Sequence, residues 1–314
     1  MQEQHLNKHP SNFDYEIDLR ELFDVLFKGK WIIVSISSLA SIIGVTYSLL
    51  LPNIYESKAL LFPVNSSSSI SGALQSYSSL AGFAGINLPS SGDKGNSSKA
   101  MKKIISLSFF ENNMLRNIYL PDLMAVKSWS SKTNMLSYDE SIYNINNNTW
   151  IRDYSYAQKQ IPSAQESYKV FTAKHINLSE DKNSGFITLS IKHQSPYIAK
   201  QWVELIINEI NIYYRQKDQL ESEKAVSYLK QQISMTSLSE IKQVLAQLLQ
   251  EETKKLTLME ANKYYVFDYI DPPAVMERKS EPRRALICIL SALLGGIFSI
   301  MLVLTRHYAF RKNI

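Results

Sequence analysis

Two runs of uncharged, apolar sequence constrain this chain more than any other feature. Trp31–Leu51 and Ala285–Thr305 each hold 21 residues without one Asp, Glu, Lys or Arg. At 1.5 Å per residue each forms a helix of about 31 Å, the thickness of a bilayer's hydrocarbon core. Soluble core helices this long and this uniformly apolar are uncommon, so both runs are read as membrane spans. The first run is too long for the core of a cleaved signal peptide. Thirty residues precede it, and Pro52-Asn53-Ile54-Tyr55 after it offers no small-x-small cleavage site. An uncleaved signal anchor fits.

Lysine and arginine set orientation. Arg20, Lys28 and Lys30 precede the first span, and Lys58 alone follows it closely, which places the N-terminus in the cytoplasm. The second span has basic residues on both sides: Arg278, Lys279, Arg283 and Arg284 before it, Arg306, Arg311 and Lys312 after it. Long loops translocate largely regardless of charge, so the first span decides and the C-terminus returns to the cytoplasm. The expected organisation is a cytoplasmic segment 1–30, a span 31–51, an extracytoplasmic domain 52–284, a span 285–305 and a cytoplasmic tail 306–314.

The mean hydropathy is slightly negative, an average that hides the two spans. Lys and Arg number 34 against 29 Asp and Glu, well mixed along the chain. No basic stripe with interleaved aromatics occurs, which argues against nucleic acid as a partner. The single cysteine, Cys288, falls inside the second span, so the outer domain holds by packing without a disulfide.

Asp18-Leu19-Arg20-Glu21 reads as a capped start of a short amphipathic helix, ended by Gly29 and lying on the cytoplasmic membrane face. Glu56–Val64 reads as a strand. Residues 65–99 are rich in Ser and Gly and hold half of the chain's glycines. A helical stretch from Ser97 to Tyr119 follows. Ser163-Ala164-Gln165-Glu166 is a capping box opening a helix to Ala173. A hairpin runs from His175 to Ser179 and back from Phe186 to His193 around Lys182–Gly185. In its second strand Ile187, Leu189 and Ile191 alternate with polar residues. Ser195-Pro196 opens the longest helix, with Ser195 as N-cap and an apolar face at Ala199, Trp202, Val203, Ile206, Ile207 and Ile210. A second long helix, capped at Ser237–Glu240, makes a hairpin with it near Thr236. Tyr264–Ile270 reads as a returning strand. Strands 56–64, 175–193 and 264–270 are expected to share one sheet near the bilayer.

No catalytic constellation is apparent. No G-x-x-x-x-G-K-[ST] or G-x-S-x-G sequence occurs. His175 and His193 face each other across the predicted hairpin, but two histidines without a carboxylate or cysteine cluster make a poor metal site. Asp139-Glu140 and Glu251-Glu252 are sequence neighbours that point apart. The expectation is no enzyme, no cofactor and no metal. Asn147-Asn148-Thr149 matches a glycosylation sequon, a motif frequent by chance. Interaction surface stands out instead. Ala40 and Gly44, Ser291 and Gly295, and Ala292 and Gly296 are pairs of small residues four apart, a spacing that lets membrane helices approach closely.

Several segments resemble the chain-length determinant (Wzz) family of polysaccharide co-polymerases. Ile17-Asp18-Leu19-Arg20-Glu21-Leu22 stands before the first span and Leu51-Pro52-Asn53-Ile54-Tyr55-Glu56-Ser57 after it. The proline-rich approach to the last span is Asp271-Pro272-Pro273-Ala274-Val275, then Lys279-Ser280-Glu281-Pro282-Arg283-Arg284-Ala285-Leu286, then Gly295-Gly296. Leu80–Leu88 and Ala199-Lys200-Gln201-Trp202-Val203 also look like family segments. One departure is Ser280-Glu281-Pro282-Arg283, where many members carry a Ser-Pro-Lys type sequence.

The resemblance implies an α+β architecture: two transmembrane helices flanking a periplasmic domain, with a mixed α/β base near the membrane and a long helical arm. It implies a non-enzymatic regulator in the bacterial inner membrane that sets the modal length of lipopolysaccharide O-antigen, or a similar lipid-linked glycan, beside a membrane polymerase. The partners implied are the chain itself, in a homo-oligomeric ring of about eight subunits, the glycan polymerase and the lipid-linked glycan. Site residues expected on this basis are Gly44, Gly295 and Gly296, packing the spans between subunits, and Pro272, Pro273, Pro282, Arg283 and Arg284 at the entry to the second span. The alternative is a capsule or exopolysaccharide export adaptor that activates a separate cytoplasmic tyrosine kinase. Nine residues after Thr305 leave no room for a fused kinase domain.

Overall fold

A computed structural model describes residues 19–64 and 94–311. The Asp18 cap and the Leu80–Leu88 stretch lie outside the described residues. In chain order the elements begin with helices α1 (Leu19–Lys28) and α2 (Lys30–Leu50), strand β1 (Tyr55–Pro63) and helices α3 (Lys94–Ile104) and α4 (Leu120–Met124). Strands β2 (Val126–Ser130), β3 (Met135–Tyr138), β4 (Tyr143–Asn144) and β5 (Thr149–Trp150) follow, then helix α5 (Ala164–Val170). Strands β6 (Ile176–Glu180) and β7 (Ile187–His193), helices α6 (Pro196–Met235) and α7 (Ser239–Ala261), strand β8 (Phe267–Asp271) and helix α8 (Arg284–Arg311) complete the chain. Two compact units result, one from the two chain ends up to Leu51 and from Pro282, the other from Pro52–Glu281.

The first unit is built on the two apolar helices. Only 11% of the first span's most apolar window and 17% of the second's is buried. A helix in a soluble core buries most of its surface, so that reading fails. Trp31, Leu50 and Leu294 point outward instead, as lipid-facing side chains do. The second helix continues past Thr305 to Arg311. Gly29 ends α1 as expected, although its N–H donates to Val25 and its carbonyl accepts from Ile33, so hydrogen bonding runs on into α2. Gly29 is also a close-packing position, since a Cβ there would meet Val303 Cγ1 at 2.6 Å.

The second unit centres on one four-stranded sheet of order β6-β7-β1-β8, antiparallel throughout. The three predicted strand regions do share a sheet. Ala59 and Leu61 of β1 and Ile187, Leu189 and Ile191 of β7 turn inward and are buried. The first turns of α6 cover this face with Ala199, Trp202, Val203, Ile206, Ile207 and Ile210, all buried in the same core. Each fully buried Ile contributes about 1.5–3 kcal/mol relative to exposure. Beyond Tyr214 the helix turns strongly polar and leaves the core. At 40 residues α6 is about 60 Å long. α7 returns along it, and Leu229 and Leu245 are buried in this helical hairpin.

Local differences have physical causes. The predicted helix at Ser97–Tyr119 is broken: α3 ends at Ile104, and Leu107–Phe109 restarts under a Ser106 cap before a π-helical turn at Phe110–Met114. The capping box at Ser163 forms as expected, with Ser163 Oγ accepting from Glu166 N at 3.3 Å and Glu166 Oε2 accepting from Ser163 N at 2.9 Å. Ser195 holds the N-cap position of α6, but its side chain makes no cap bond. The second long helix starts at Ser239 behind Leu238, without a side-chain cap. A small aromatic-rich lobe at 120–162, with hairpins β2–β3 and β4–β5, has no signal in the sequence pattern. Its strands are two to five residues long, too short for a period-2 signal to emerge.

Candidate functional site

The proline-rich segment that follows β8 has no regular structure, and its prolines explain its path. Pro272 and Pro273 carry no N–H and cannot continue the ladder with β1. β8 therefore stops at Asp271. From there to Glu281 the chain lies along the start of β1 as a strap. Ser57 Oγ, buried in the sheet, donates to the Ala274 carbonyl at 2.8 Å. Ser280 N donates to Ile54 O at 2.8 Å, and Ile54 N donates to Glu281 O at 3.0 Å. A residue before proline is held extended, and Glu281 in that state makes an isolated antiparallel bridge with Ile54. Pro273 is buried and Pro272 exposed.

Charged side chains on the outer face of the sheet bind the same strap. The Lys192 ammonium lies 2.6 Å from Glu281 Oε1. Ser280 Oγ donates to Glu56 Oε2 at 3.2 Å, and Lys58 sits 3.4 Å from the same oxygen. The hydrogen bond that Lys192 donates to Glu281 holds the lysine pKa above its usual value, against burial. Burial pushes Glu56 up, but hydrogen bonds from Ser190, Lys58 and Ser280 and the Lys58 charge outweigh it and leave its carboxyl low. Sequence reading missed Glu56 and Lys192. The register that sets Glu56 opposite Lys192 on β7 is a tertiary fact.

Of the other expected site residues, Pro282, Arg283 and Arg284 open α8 in the first unit. The Arg283 carbonyl accepts from Leu286 N at 3.0 Å and Ile287 N at 3.2 Å. Gly44 and Gly295 face the other span of the same chain. A Cβ on Gly44 would stand 2.1 Å from Ser291 Oγ, and one on Gly295 would stand 2.5 Å from Ala40 Cβ. The close approach expected between subunits is thus used within the chain at these two positions. Small residues on both spans bring their backbones together, and Ser37 Oγ donates to Ala292 O at 3.2 Å across the contact. Gly296 does not share this role, since a Cβ there meets only Ser37 Oγ at 3.9 Å.

His175 and His193 do meet, with ring centroids 5.7 Å apart and both rings edge-on to Trp202. His193 Nδ1 accepts from Ser195 N at 2.9 Å, so Nε2 carries the proton and donates to Asp122 O at 2.9 Å. His175 Nδ1 donates to Lys192 O at 2.7 Å. Burial drives both pKa values down to about 4. These neutral imidazoles tie β7 to α4 and to the end of a second π-helical turn, Phe171–His175. Among the described residues no group of three or more His, Cys, Asp or Glu is placed to hold a metal.

Residues 15–108 match the profile of the Wzz chain length determinant protein family. Over those residues the chain is similar to chain length determinant proteins. The Wzz match takes in the first span, β1 and α3. The strap and the second span, which carry the other half of the sequence resemblance, lie beyond it. Among solved structures, a full-length bacterial polysaccharide co-polymerase is similar at 13% identity and a TM-score of 0.41, covering 94% of this chain and 99% of its own. A fragment of WzzB, the polysaccharide co-polymerase from Salmonella Typhimurium, is similar at 12% identity and a TM-score of 0.32, covering 73% of this chain and 100% of its own. No curated protein matches.

Proposed function

We propose that this chain regulates the length of a surface polysaccharide without catalysing a reaction itself. The observation that carries the reading is the Wzz match across residues 15–108, centred on a membrane span and the strand that follows it. The second span, the proline-rich strap beside β1 and the long α6–α7 hairpin accord with it. On this reading the chain sits in the bacterial inner membrane with both termini in the cytoplasm and residues 52–284 in the periplasm. It assembles as a ring of about eight copies and works beside a membrane polymerase that extends a lipid-linked glycan. It sets the modal length of O-antigen, or of a similar polymer.

The test is deletion of the gene and display of the lipopolysaccharide on a gel. The expected result is loss of the modal cluster of bands, restored by a plasmid copy. Unchanged banding would overturn the proposal.

A further inference from the structure

Residues 151–161 form a loop that the fold holds firmly but does not bury. Arg152 is the clamp. Its guanidinium makes paired hydrogen bonds to the Glu166 carboxylate at 2.9 and 3.0 Å. The same group donates to the carbonyls of Gln160 at 3.0 Å and Lys159 at 2.6 Å, which closes the loop's neck. Gln160 Nε2 donates to the Trp150 carbonyl, fixing the other side. At the tip, Gln158 N donates to Ser155 O at 2.9 Å, a tight turn with Tyr156 and Ala157 at its corners. Ala157 takes φ +77°, a conformation that turns reserve for glycine or asparagine. A strained, clamped turn points to a fixed presentation of side chains. What it presents is aromatic: Tyr156 is 104% exposed and Tyr154 56%.

We propose that this loop binds carbohydrate, with Tyr154 and Tyr156 as stacking platforms for the sugar rings of a polysaccharide. The inference rests on the reading above that the chain handles a glycan. Backbones two residues apart lie within about 6.6 Å even in fully extended chain, a reach that neighbouring sugar rings of a polymer can follow. A tyrosine presents an apolar face to a ring's C–H groups and a hydroxyl to its oxygens. The polar groups around the pair are Ser155, Gln158 and Gln160, with one acid, Asp153, and one base, Lys159, besides the engaged Arg152. Hydroxyl and amide groups with balanced charge suit a polyhydroxylated chain rather than a strongly anionic surface. Ile151 and Ile161 are exposed at the neck and give the site an apolar rim. Rigidity matters here because single sugar contacts are weak, and a pre-ordered loop avoids the ordering cost on binding.

The test uses the full chain in detergent micelles and polysaccharide released from the host's own envelope and freed of lipid. Saturation-transfer NMR reads contact with the sugar ring protons. The expected result is clear transfer with the native chain, weakened at least tenfold by Tyr154→Ala with Tyr156→Ala and unchanged by Tyr228→Ala, an exposed tyrosine on α6. Both loop side chains are exposed, so the melting temperature should hold, and Tyr156→Trp should keep the transfer. A photoreactive residue at 156 in living cells should give a ladder of adducts that disappears when glycan synthesis is blocked. Transfer that survives the double substitution, or adducts made only with a second copy, another protein or lipid, would overturn the proposal. Unchanged gel banding on deletion, with transfer intact, would remove the length-control reading and leave the binding loop standing.

Discussion

Asn211 on α6 and Phe267 on β8 hold each other by two hydrogen bonds: Asn211 Nδ2 donates to the Phe267 carbonyl at 3.0 Å, and Phe267 N donates to Asn211 Oδ1 at 3.1 Å. The same oxygen accepts from Tyr265 N at 2.9 Å and Val266 N at 2.6 Å. Asn211 is 3% exposed, and its remaining amide bond goes to Ile207 O at 2.9 Å. One buried side chain thus ties the entry of β8 to the long helix. Replacing Asn211 by Leu leaves buried N–H groups without partners, each costing about 1–3 kcal/mol. Asn211→Leu should destabilise the protein by about 4 kcal/mol in denaturant unfolding, and a loss below 1 kcal/mol would refute this role.

The buried histidine pair sets a pH dependence. His175 and His193 have folded-state pKa values lowered to about 4 by burial, against 6.5 ordinarily. Above about pH 6.5 both states leave the rings neutral and the pair costs nothing. As pH falls from 6.5 towards 4 the unfolded chain takes up protons that the folded chain refuses, so stability drops. The slope is at most about 1.4 kcal/mol per pH unit for each histidine. Melting temperature measured from pH 7 to 4 should fall in that window. The fall should flatten in His175→Gln, and an equally steep fall there would exclude His175 as a source.

The span contact should discriminate between glycines. Gly44→Ala and Gly295→Ala force methyl groups to within 2.1 and 2.5 Å of Ser291 and Ala40. Overpacking of this kind costs about 1–3 kcal/mol. Gly296→Ala, with nothing nearer than 3.9 Å, should be close to neutral. Thermal unfolding in detergent checks the order, and Ser291→Gly should rescue Gly44→Ala. Equal effects at all three glycines would contradict the contact.

The strap should be held more by its buried bond than by its ion pair. Lys192 and Glu281 are 32% and 45% exposed, and an ion pair so open to water is worth about 0.5 kcal/mol. The Ser57 hydroxyl is buried on Ala274, and its loss should cost about 1 kcal/mol. Limited proteolysis between 274 and 281 should therefore accelerate more in Ser57→Ala than in Glu281→Ala. The reverse order would assign the strap to the charges.

Much of the fold was legible in local pattern. The alternation at Ile187, Leu189 and Ile191 predicted β7, and the stripe from Ala199 to Ile210 predicted the buried face of α6. Both signals repeat over several turns or pleats, so neighbours reinforce them. The short strands of the aromatic lobe carry no such repetition. Gly29 marks the end of α1, as a glycine after a periodic stretch usually does, but its close packing is not legible. Its close neighbour, Val303, is 274 positions away and invisible to local reading.

Length and charge alone determined two membrane-length helices, since a bilayer fixes both the number of residues needed and the exclusion of charge. Alternation and helical stripes determined which strands and helices bury which faces. Tertiary structure decided the pairings: Gly44 with Ser291, Lys192 with Glu281, Asn211 with the turn before β8, and the strap with β1. It also decided that Arg152 clamps a loop with Tyr156 in the open. Those contacts join residues far apart in the chain, and their geometry follows from how sheet and helices pack, which no local periodicity encodes.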